Sequence, residues 1–185
     1  MPTKLAEKSG VVFMFIIIDG YNLIRQSDIL RRFERKSLEA GRNALIAKLV
    51  EYEKRKAHKI TLVFDGGKSD WLDEGRDREG KINIIYSRRG ERADDVIKRI
   101  AAQTAGEIIV VSSDREISSY ATSLGKTALA SPEFEMIMNN TISSSQRQTT
   151  APQKNEINER QSKKKGPARR LPRAKRKTQS KIGKL

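Results

Sequence analysis

The sequence predicts an α/β fold with a mostly parallel sheet of about five strands. Continuous apolar runs, which are typical of strands buried on both faces, alternate with amphipathic segments of helical period. The chain has 185 residues, enough for one domain with an appendage. Strands that alternate with helices form βαβ units, which build a parallel sheet covered by helices.

Four strong apolar runs and a weaker fifth define the predicted strands. They are residues 11–18, 60–64, 82–86 and 108–111, followed by 127–129. The first run follows Lys4 and Lys8 and could pass for a signal-peptide core. It has no small-residue cleavage site, and its eight apolar residues fall short of the ~20 that a membrane span needs. We therefore interpret it as a buried strand and expect no membrane association.

Three segments between these runs have helical periodicity. Residues 37–56 and 91–103 carry apolar side chains at helical spacing, and Gly125 is a plausible stop for a third helix over 115–123. The segment 66–80 is polar and rich in glycine, so we expect a long surface loop there. In that loop Trp71 could equally stack on a base or close a small apolar cluster.

The net charge of +15 is unevenly distributed. Residues 1–140 carry 24 basic and 21 acidic side chains, whereas residues 141–185 carry 14 and 2. The second part is also rich in Ser, Gln and Asn, and prolines interrupt it. We therefore predict an N-terminal arm over 1–10, a folded domain over 11–140 and a disordered basic tail over 141–185.

A basic tail of this kind suits a polyphosphate partner. Its expected RNA-binding residues are Lys163, Lys164, Lys165, Arg169, Arg170, Arg173, Lys175, Arg176 and Lys177. The tail has no aromatic side chain to stack on bases, so it would supply affinity without sequence choice. A merely solvated tail is the alternative interpretation. Within the domain, Arg88, Arg89 and Arg92 flank the acids described next and are candidates for holding RNA.

Aspartates end three of the apolar runs. Asp19 follows the first and Asp65 the second, and Asp114 follows the fourth after two serines. Because ligands bind beyond the carboxyl ends of parallel strands, these acids could converge. Each one could instead be a helix cap or a turn residue. Asp65, which precedes two glycines, especially looks like a turn signal.

A further acid comes from the pair Asp94 and Asp95 at the start of the second predicted helix. At ~100° per residue, Asp94 flanks the apolar stripe of that helix and Asp95 lies nearly opposite the stripe. Asp94 is therefore the better candidate for a group that faces inward.

Clustered carboxylates repel one another unless a cation compensates. Mg²⁺ and Mn²⁺ prefer oxygen ligands and support hydrolysis at phosphorus, so the pattern suggests metal-assisted phosphodiester hydrolysis. The chain has no cysteine, which excludes a Cys-ligated zinc site and a thiol nucleophile. Its single histidine, His58, leaves little room for a His-based metal site. The lack of cysteine fits a reducing compartment, and we expect a cytoplasmic protein.

Four motifs resemble, in order and spacing, the YacP-like branch of the NYN domains, which belong with the PIN-like nucleases. They are Ile16-Ile17-Ile18-Asp19-Gly20-Tyr21-Asn22, Leu62-Val63-Phe64-Asp65-Gly66, Gly90-Glu91-Arg92-Ala93-Asp94-Asp95 and Val111-Ser112-Ser113-Asp114. The resemblance covers about residues 11–140. It implies a PIN-like three-layer α/β/α sandwich and an endoribonuclease that depends on Mg²⁺ or Mn²⁺, acting in some relatives on ribosome-associated RNA.

Carried over by position, Asp19, Asp94 and Asp114 match the metal-site acids of that family. Asn22 is a fourth catalytic candidate, Ser112 and Ser113 offer polar support, and Asp65 and Asp95 are further metal candidates. Arg115, next to Asp114, is a further RNA-binding candidate, at a position where members of that family often have an aromatic residue. We expect RNA, and through it the ribosome, as partner, and no small-molecule cofactor.

Two other functions compete with this one. A non-catalytic RNA-binding or ribosome-associated protein could keep the PIN-like scaffold, although a pure binder of polyanions gains nothing from clustered acids. A phosphatase of the haloacid-dehalogenase type needs Asp-x-Asp after the first strand, and Tyr21 occupies the second of those aspartate positions.

Overall fold

The structure, a computed structural model, describes residues 14–56, 58–66, 74–146, 181–183 and 185. Its strands and helices follow one another along the chain as β1 (Phe15–Asp19), α1 (Gly20–Gln26), α2 (Asp28–Glu34), α3 (Leu38–Lys56), β2 (Lys59–Phe64), β3 (Gly75–Glu79), β4 (Ile82–Tyr86), α4 (Ala93–Gln103), β5 (Ile108–Val111), α5 (Arg115–Ser123), β6 (Thr127–Leu129) and α6 (Ser131–Gln146).

The strands form one sheet in the order β3-β4-β2-β1-β5-β6. Every neighbouring pair is parallel except β3 and β4. Central strand β1 pairs with β2 on one side and β5 on the other, so that Ile18 lies level with Leu62 and Val111. The chain builds the sheet outward from β1 in one direction and then in the other. The carboxyl ends of β1 and β5 therefore flank a topological switch point, where ligands of parallel sheets bind.

Alternate side chains of β1 feed two separate cores. Ile16 and Ile18 belong to a large cluster with the helices α1, α2, α3 and α6, whereas Ile17 packs with α4 and α5 on the opposite face. All three isoleucines are fully buried. Helices therefore cover both faces of the sheet, and the predicted three-layer α/β/α sandwich is confirmed.

The prediction of a long surface loop over 66–80 is wrong for the second half of that segment. Residues Gly75–Glu79 form β3, which pairs antiparallel with β4 across the two-residue turn Gly80-Lys81. The sheet thus has six strands within the described residues, where about five were expected. Four of the five residues of β3 are charged and exposed, as suits an edge strand, so no apolar pattern marks it.

Helices α1 and α2 were not predicted, because seven residues are too few to establish a period. Ser27 lies between them. Its hydroxyl caps α2 by accepting a hydrogen bond from the Leu30 amide at 3.1 Å, and it donates a hydrogen bond to Glu135 of α6. The helix expected over 115–123 is confirmed at those bounds.

The predicted boundary at residue 140 falls inside a helix. Helix α6 continues to Gln146. Near the other end of the predicted tail, Ile182 packs against the larger core, and Leu185 is only 3% exposed. The Tyr52 hydroxyl donates a hydrogen bond to the Leu185 carbonyl at 3.0 Å. Residues 1–13 and 147–180, which include the predicted arm and most of the tail, lie outside the described residues.

In the described part of the chain, no helix is both long enough and apolar enough to cross a membrane.

Gly20 is required by a close approach at the start of α1. A Cβ added there would lie 2.3 Å from the ring of Phe64, which is fully buried. We expect Gly20→Ala to lower the free energy of unfolding by about 1–3 kcal/mol, because the core cannot yield without strain. Urea denaturation measures this. Ser119→Ala, on an exposed face of α5, should stay within about 0.5 kcal/mol of wild type. A Gly20→Ala protein as stable as wild type would contradict the packing described.

Candidate active site

A cleft of about 590 Å³ opens at the carboxyl ends of the parallel strands. It brings together side chains from β1, α1, α3 and α4 and from the ends of β2 and β5. The lining residues are Asp19, Tyr21, Asn22, Arg25, Gln26, Leu38, Arg42, Asp65, Gly66, Arg92, Ala93, Asp94 and Asp114. The four acids that the sequence placed near strand ends and at the start of α4 thus share one cleft.

Asp19 is the most deeply buried of these acids, at 8% exposure. Its carboxylate caps α1 by accepting a hydrogen bond from the Asn22 amide at 3.2 Å, and it accepts another from the Ser112 hydroxyl at 3.0 Å. Burial raises the pKa of Asp19 to about 6, with smaller contributions from the negative charges of Asp94 and Asp114, and the two hydrogen bonds oppose the rise. Without a bound cation, the surroundings of Asp19 therefore disfavour its ionised form.

The side chain of Asn22 fastens the end of β1 to the neighbouring segments. Its Oδ1 accepts hydrogen bonds from the Ser113 amide at 2.9 Å and from the Ser131 hydroxyl at 2.7 Å. The Ser131 amide in turn donates to the Ser113 hydroxyl at 3.2 Å. Ser131, which the sequence analysis did not select as a site residue, is fully buried. Through its side-chain oxygen, Asn22 therefore positions the start of α1 against the segments that contain Ser113 and Ser131.

Ser112 and Ser113 follow β5 and support different parts of the site. Ser113 contacts Asn22 and Ser131, whereas Ser112 contacts the acids. The Ser112 hydroxyl donates to Asp19 and accepts from the Asp114 amide at 3.1 Å, so it links two acids of the cleft. Asp114 itself caps α5, accepting from the amides of Glu116 at 2.7 Å and Ile117 at 3.2 Å. Asp19 and Asp114 are therefore both helix caps and cleft residues, so the two interpretations of these acids do not exclude each other.

Asp94 and Asp95 point in different directions, as their helical phase suggests. Asp94 is half-buried and lines the cleft, whereas Asp95 is exposed and does not. The guanidinium of Arg92 forms an ion pair with Asp94. Asp65 lines the cleft at the end of β2, and it accepts a hydrogen bond from the Ser87 hydroxyl at 3.4 Å.

The arginines at the cleft differ from those that the sequence suggested. Arg92 lines it, but Arg88, Arg89 and Arg115 do not. Arg25 and Arg42 do line it, and sequence reasoning missed both, because only tertiary packing brings α1 and α3 to this edge. Trp71 and the basic residues from Lys163 to Lys177 lie outside the described residues.

The acids do not form a complete metal shell as they stand. In the described segments, no group of three or more Asp, Glu or His side chains could hold a metal ion. The chemistry of the donors nevertheless fits a hard cation, since the described lining of the cleft offers carboxylate oxygens and contains no sulfur or imidazole. Mg²⁺ is usually bound through one or two carboxylates together with waters and substrate phosphates, so a three-carboxylate shell is not required.

A three-layer α/β/α sandwich with acids gathered at the switch point of its parallel sheet is the arrangement that the resemblance to PIN-like domains implies. The model of the YacP-like NYN domain family matches residues 16–182. The chain belongs to the YacP-like NYN family.

Two kinds of relative accompany this family match. Uncharacterized protein YacP of Bacillus subtilis (strain 168) is 28% identical over 102 residues, which are 54% of this chain and 59% of that protein. The chain thus spans about three fifths of the length of this curated relative. The crystal structure of Rae1 (YacP) from Bacillus subtilis superimposes with a TM-score of 0.60 at 23% identity, over 72% of this chain and 78% of that one. A mutant form gives 0.63 at 23% identity, over 73% and 80%. These structures support the fold.

The raised pKa of Asp19 predicts a pH-dependent cost to stability. An unfolded aspartate titrates near ~3.9, so between about pH 4 and 6 the folded protein binds more protons than the unfolded chain. Stability should therefore fall as pH rises through this window, by on the order of 3 kcal/mol from Asp19. Asp19→Asn removes this contribution and should gain stability relative to wild type between pH 4 and 7. Urea denaturation in EDTA measures both proteins, and parallel pH profiles would contradict the burial cost.

Proposed function

We propose that this chain is an endoribonuclease that hydrolyses RNA phosphodiester bonds with the help of Mg²⁺ or Mn²⁺. The observation that carries the proposal is the shared cleft of Asp19, Asp94 and Asp114 at the switch point of the sheet. Membership of a nuclease-type family supports it. RNA, including ribosome-associated RNA, is the proposed substrate, and a cytoplasmic location is part of the proposal.

In this mechanism, Asp19, Asp94 and Asp114 would share the cation, with one or two of them binding it directly and the others acting through bound water. Asp65, which lines the same cleft, would be a further candidate ligand. A hard cation in such a site supplies an activated water and neutralises charge on the phosphate. The chain itself fixes the direction of the Asp19 carboxylate through the Asn22 amide and the Ser112 hydroxyl. Arg92 holds Asp94 and would have to release it for coordination.

The paired Asp94 also favours a second candidate, a non-catalytic RNA-binding protein. An acid neutralised by Arg92, in a cleft whose described residues form no three-ligand group, would suit a domain that binds RNA without cutting it. The two candidates differ in one observable, which is cleavage that requires the divalent cation.

The neighbours Asp94 and Asp95 provide a matched pair for this test. Asp94→Asn should lower the Mn²⁺-dependent cleavage rate of an RNA panel by at least about 100-fold, because it removes a ligand whose charge acts on the transition state. Asp95→Asn, which changes the same charge on the solvent side of α4, should stay within about threefold of wild type. EDTA should stop both proteins.

Equal rates for Asp94→Asn and wild type would reject the active site. Binding of the same RNAs by wild type without any cation-dependent cleavage would instead establish the non-catalytic candidate.

The basic segment between α6 and Lys181 is proposed to hold RNA near the cleft. Truncating it at residue 141 would also remove part of α6 and the core residues Ile182 and Leu185, so charge neutralisation is the cleaner change. Replacing Lys163, Lys164, Lys165, Arg169, Arg170 and Arg173 by Gln should weaken RNA binding and reduce the slope of log K against log salt, because fewer counterions are released. Fluorescence anisotropy at several salt concentrations measures the slope, and an unchanged slope would reject the tethering role.

A further inference from the structure

A second pocket of about 360 Å³ adjoins the acid cleft. It shares Arg42, Asp65 and Gly66 with the cleft and extends from there toward the β3–β4 hairpin. Its other lining residues are Gly75, Arg76, Asp77, Tyr86 and Ser87. Its volume lies within the range of small-ligand sites, and its lining combines an aromatic ring with hydrogen-bonding groups. The two spaces therefore lie side by side at the carboxyl edge of the sheet, with Arg42, Asp65 and Gly66 between them.

Arg42 occupies the junction of the two spaces and is held there by neutral groups. Its Nη1 donates a hydrogen bond to the Tyr21 hydroxyl at 2.8 Å, and its guanidinium carbon lies 5.7 Å from the centre of the Tyr86 ring. Both tyrosines contact Phe64, with ring centres 5.0 Å and 5.8 Å away. The cation is therefore positioned by aromatic side chains that are themselves packed on a buried ring.

The other arginines that line the two spaces already form ion pairs with carboxylates. Arg25 pairs with Glu34 at 3.3 Å, Arg92 pairs with Asp94, and Arg76 pairs with Glu74 at 2.9 Å. Among the described residues, no carboxylate oxygen lies within 4.0 Å of the Arg42 side-chain nitrogens. A half-buried guanidinium that has no anionic partner in the described segments is well suited to bind a phosphate through paired hydrogen bonds.

We propose that the second pocket binds a nucleotide of single-stranded RNA next to the bond that is cut, and that Arg42 binds the phosphate that joins this nucleotide to the cleft. The proposal rests on the proposed nuclease function for the identity of the neighbouring cleft. Unstacked bases of single-stranded RNA are recognised by aromatic and arginine side chains together with polar groups at their edges, and Tyr86, Arg42 and the exposed Asp77 provide these.

The test measures RNA binding apart from cleavage. A fluorescent RNA hexanucleotide is titrated with the full chain in EDTA, so that the affinity does not depend on catalysis. Arg42→Gln should weaken binding at least fivefold. Arg42→Lys should recover only part of the loss, because an ammonium keeps the charge without the planar fork. Arg55→Gln, the same substitution roughly 20 Å further along α3, should leave the affinity unchanged.

A photocrosslink locates the bound base. With 4-thiouridine in the hexanucleotide, irradiation should attach RNA to the peptide that contains Tyr86, and Arg42→Gln should reduce that product. An Arg42→Gln protein that melts at the wild-type temperature and binds RNA with wild-type affinity would overturn the proposal. If Arg42→Gln fails to fold, Arg42→Lys with wild-type affinity overturns it instead. Loss of binding in a chain that cleaves no RNA would retain the pocket and reject the nuclease function.

Discussion

The buried carboxylate of Asp19 is the constraint around which the rest of the site is arranged. It ends the central strand, where a parallel sheet brings its neighbours close, and it lies within the electrostatic influence of Asp94 and Asp114. Hydrogen bonds from the Asn22 amide and the Ser112 hydroxyl hold it in place. These bonds reduce the cost of burial only in part, since the pKa stays raised. A cation bound beside this carboxylate would offset the cost of its burial, which supports the proposed metal site.

The motif that begins with Asp19 acquires a physical meaning residue by residue. Gly20 permits the close approach of Phe64, and Tyr21 packs on the same ring while holding Arg42. Asn22 ties this turn to Ser113 and Ser131. The four residues thus place an acid, a cation and two neighbouring segments in fixed relation. The junction between β1 and α1 therefore builds part of the candidate site.

Sequence periodicity predicted the parts of the fold that have strong apolar patterns. Four of the parallel strands are buried runs, and the phase of α4 distinguished Asp94 from Asp95. The charged edge strand Gly75–Glu79 has no such pattern and emerges only through pairing with β4. Arg42 was missed for a similar reason, since its role depends on contacts from α1 and β4 that are distant in sequence. Ile182 and Leu185 are isolated apolar residues in a basic segment, and no local sequence pattern predicts that they reach the core.

The claim that this cleft binds a divalent cation can be tested directly by Mn²⁺ electron paramagnetic resonance on the RNA-free protein. Titration of wild type and of Asp95→Asn should show the same bound fraction, because Asp95 faces solvent. Asp19→Asn should lose at least about tenfold in affinity, since it removes the most buried oxygen ligand and the charge that a cation would neutralise. Equal Mn²⁺ binding by Asp19→Asn and wild type would contradict the account.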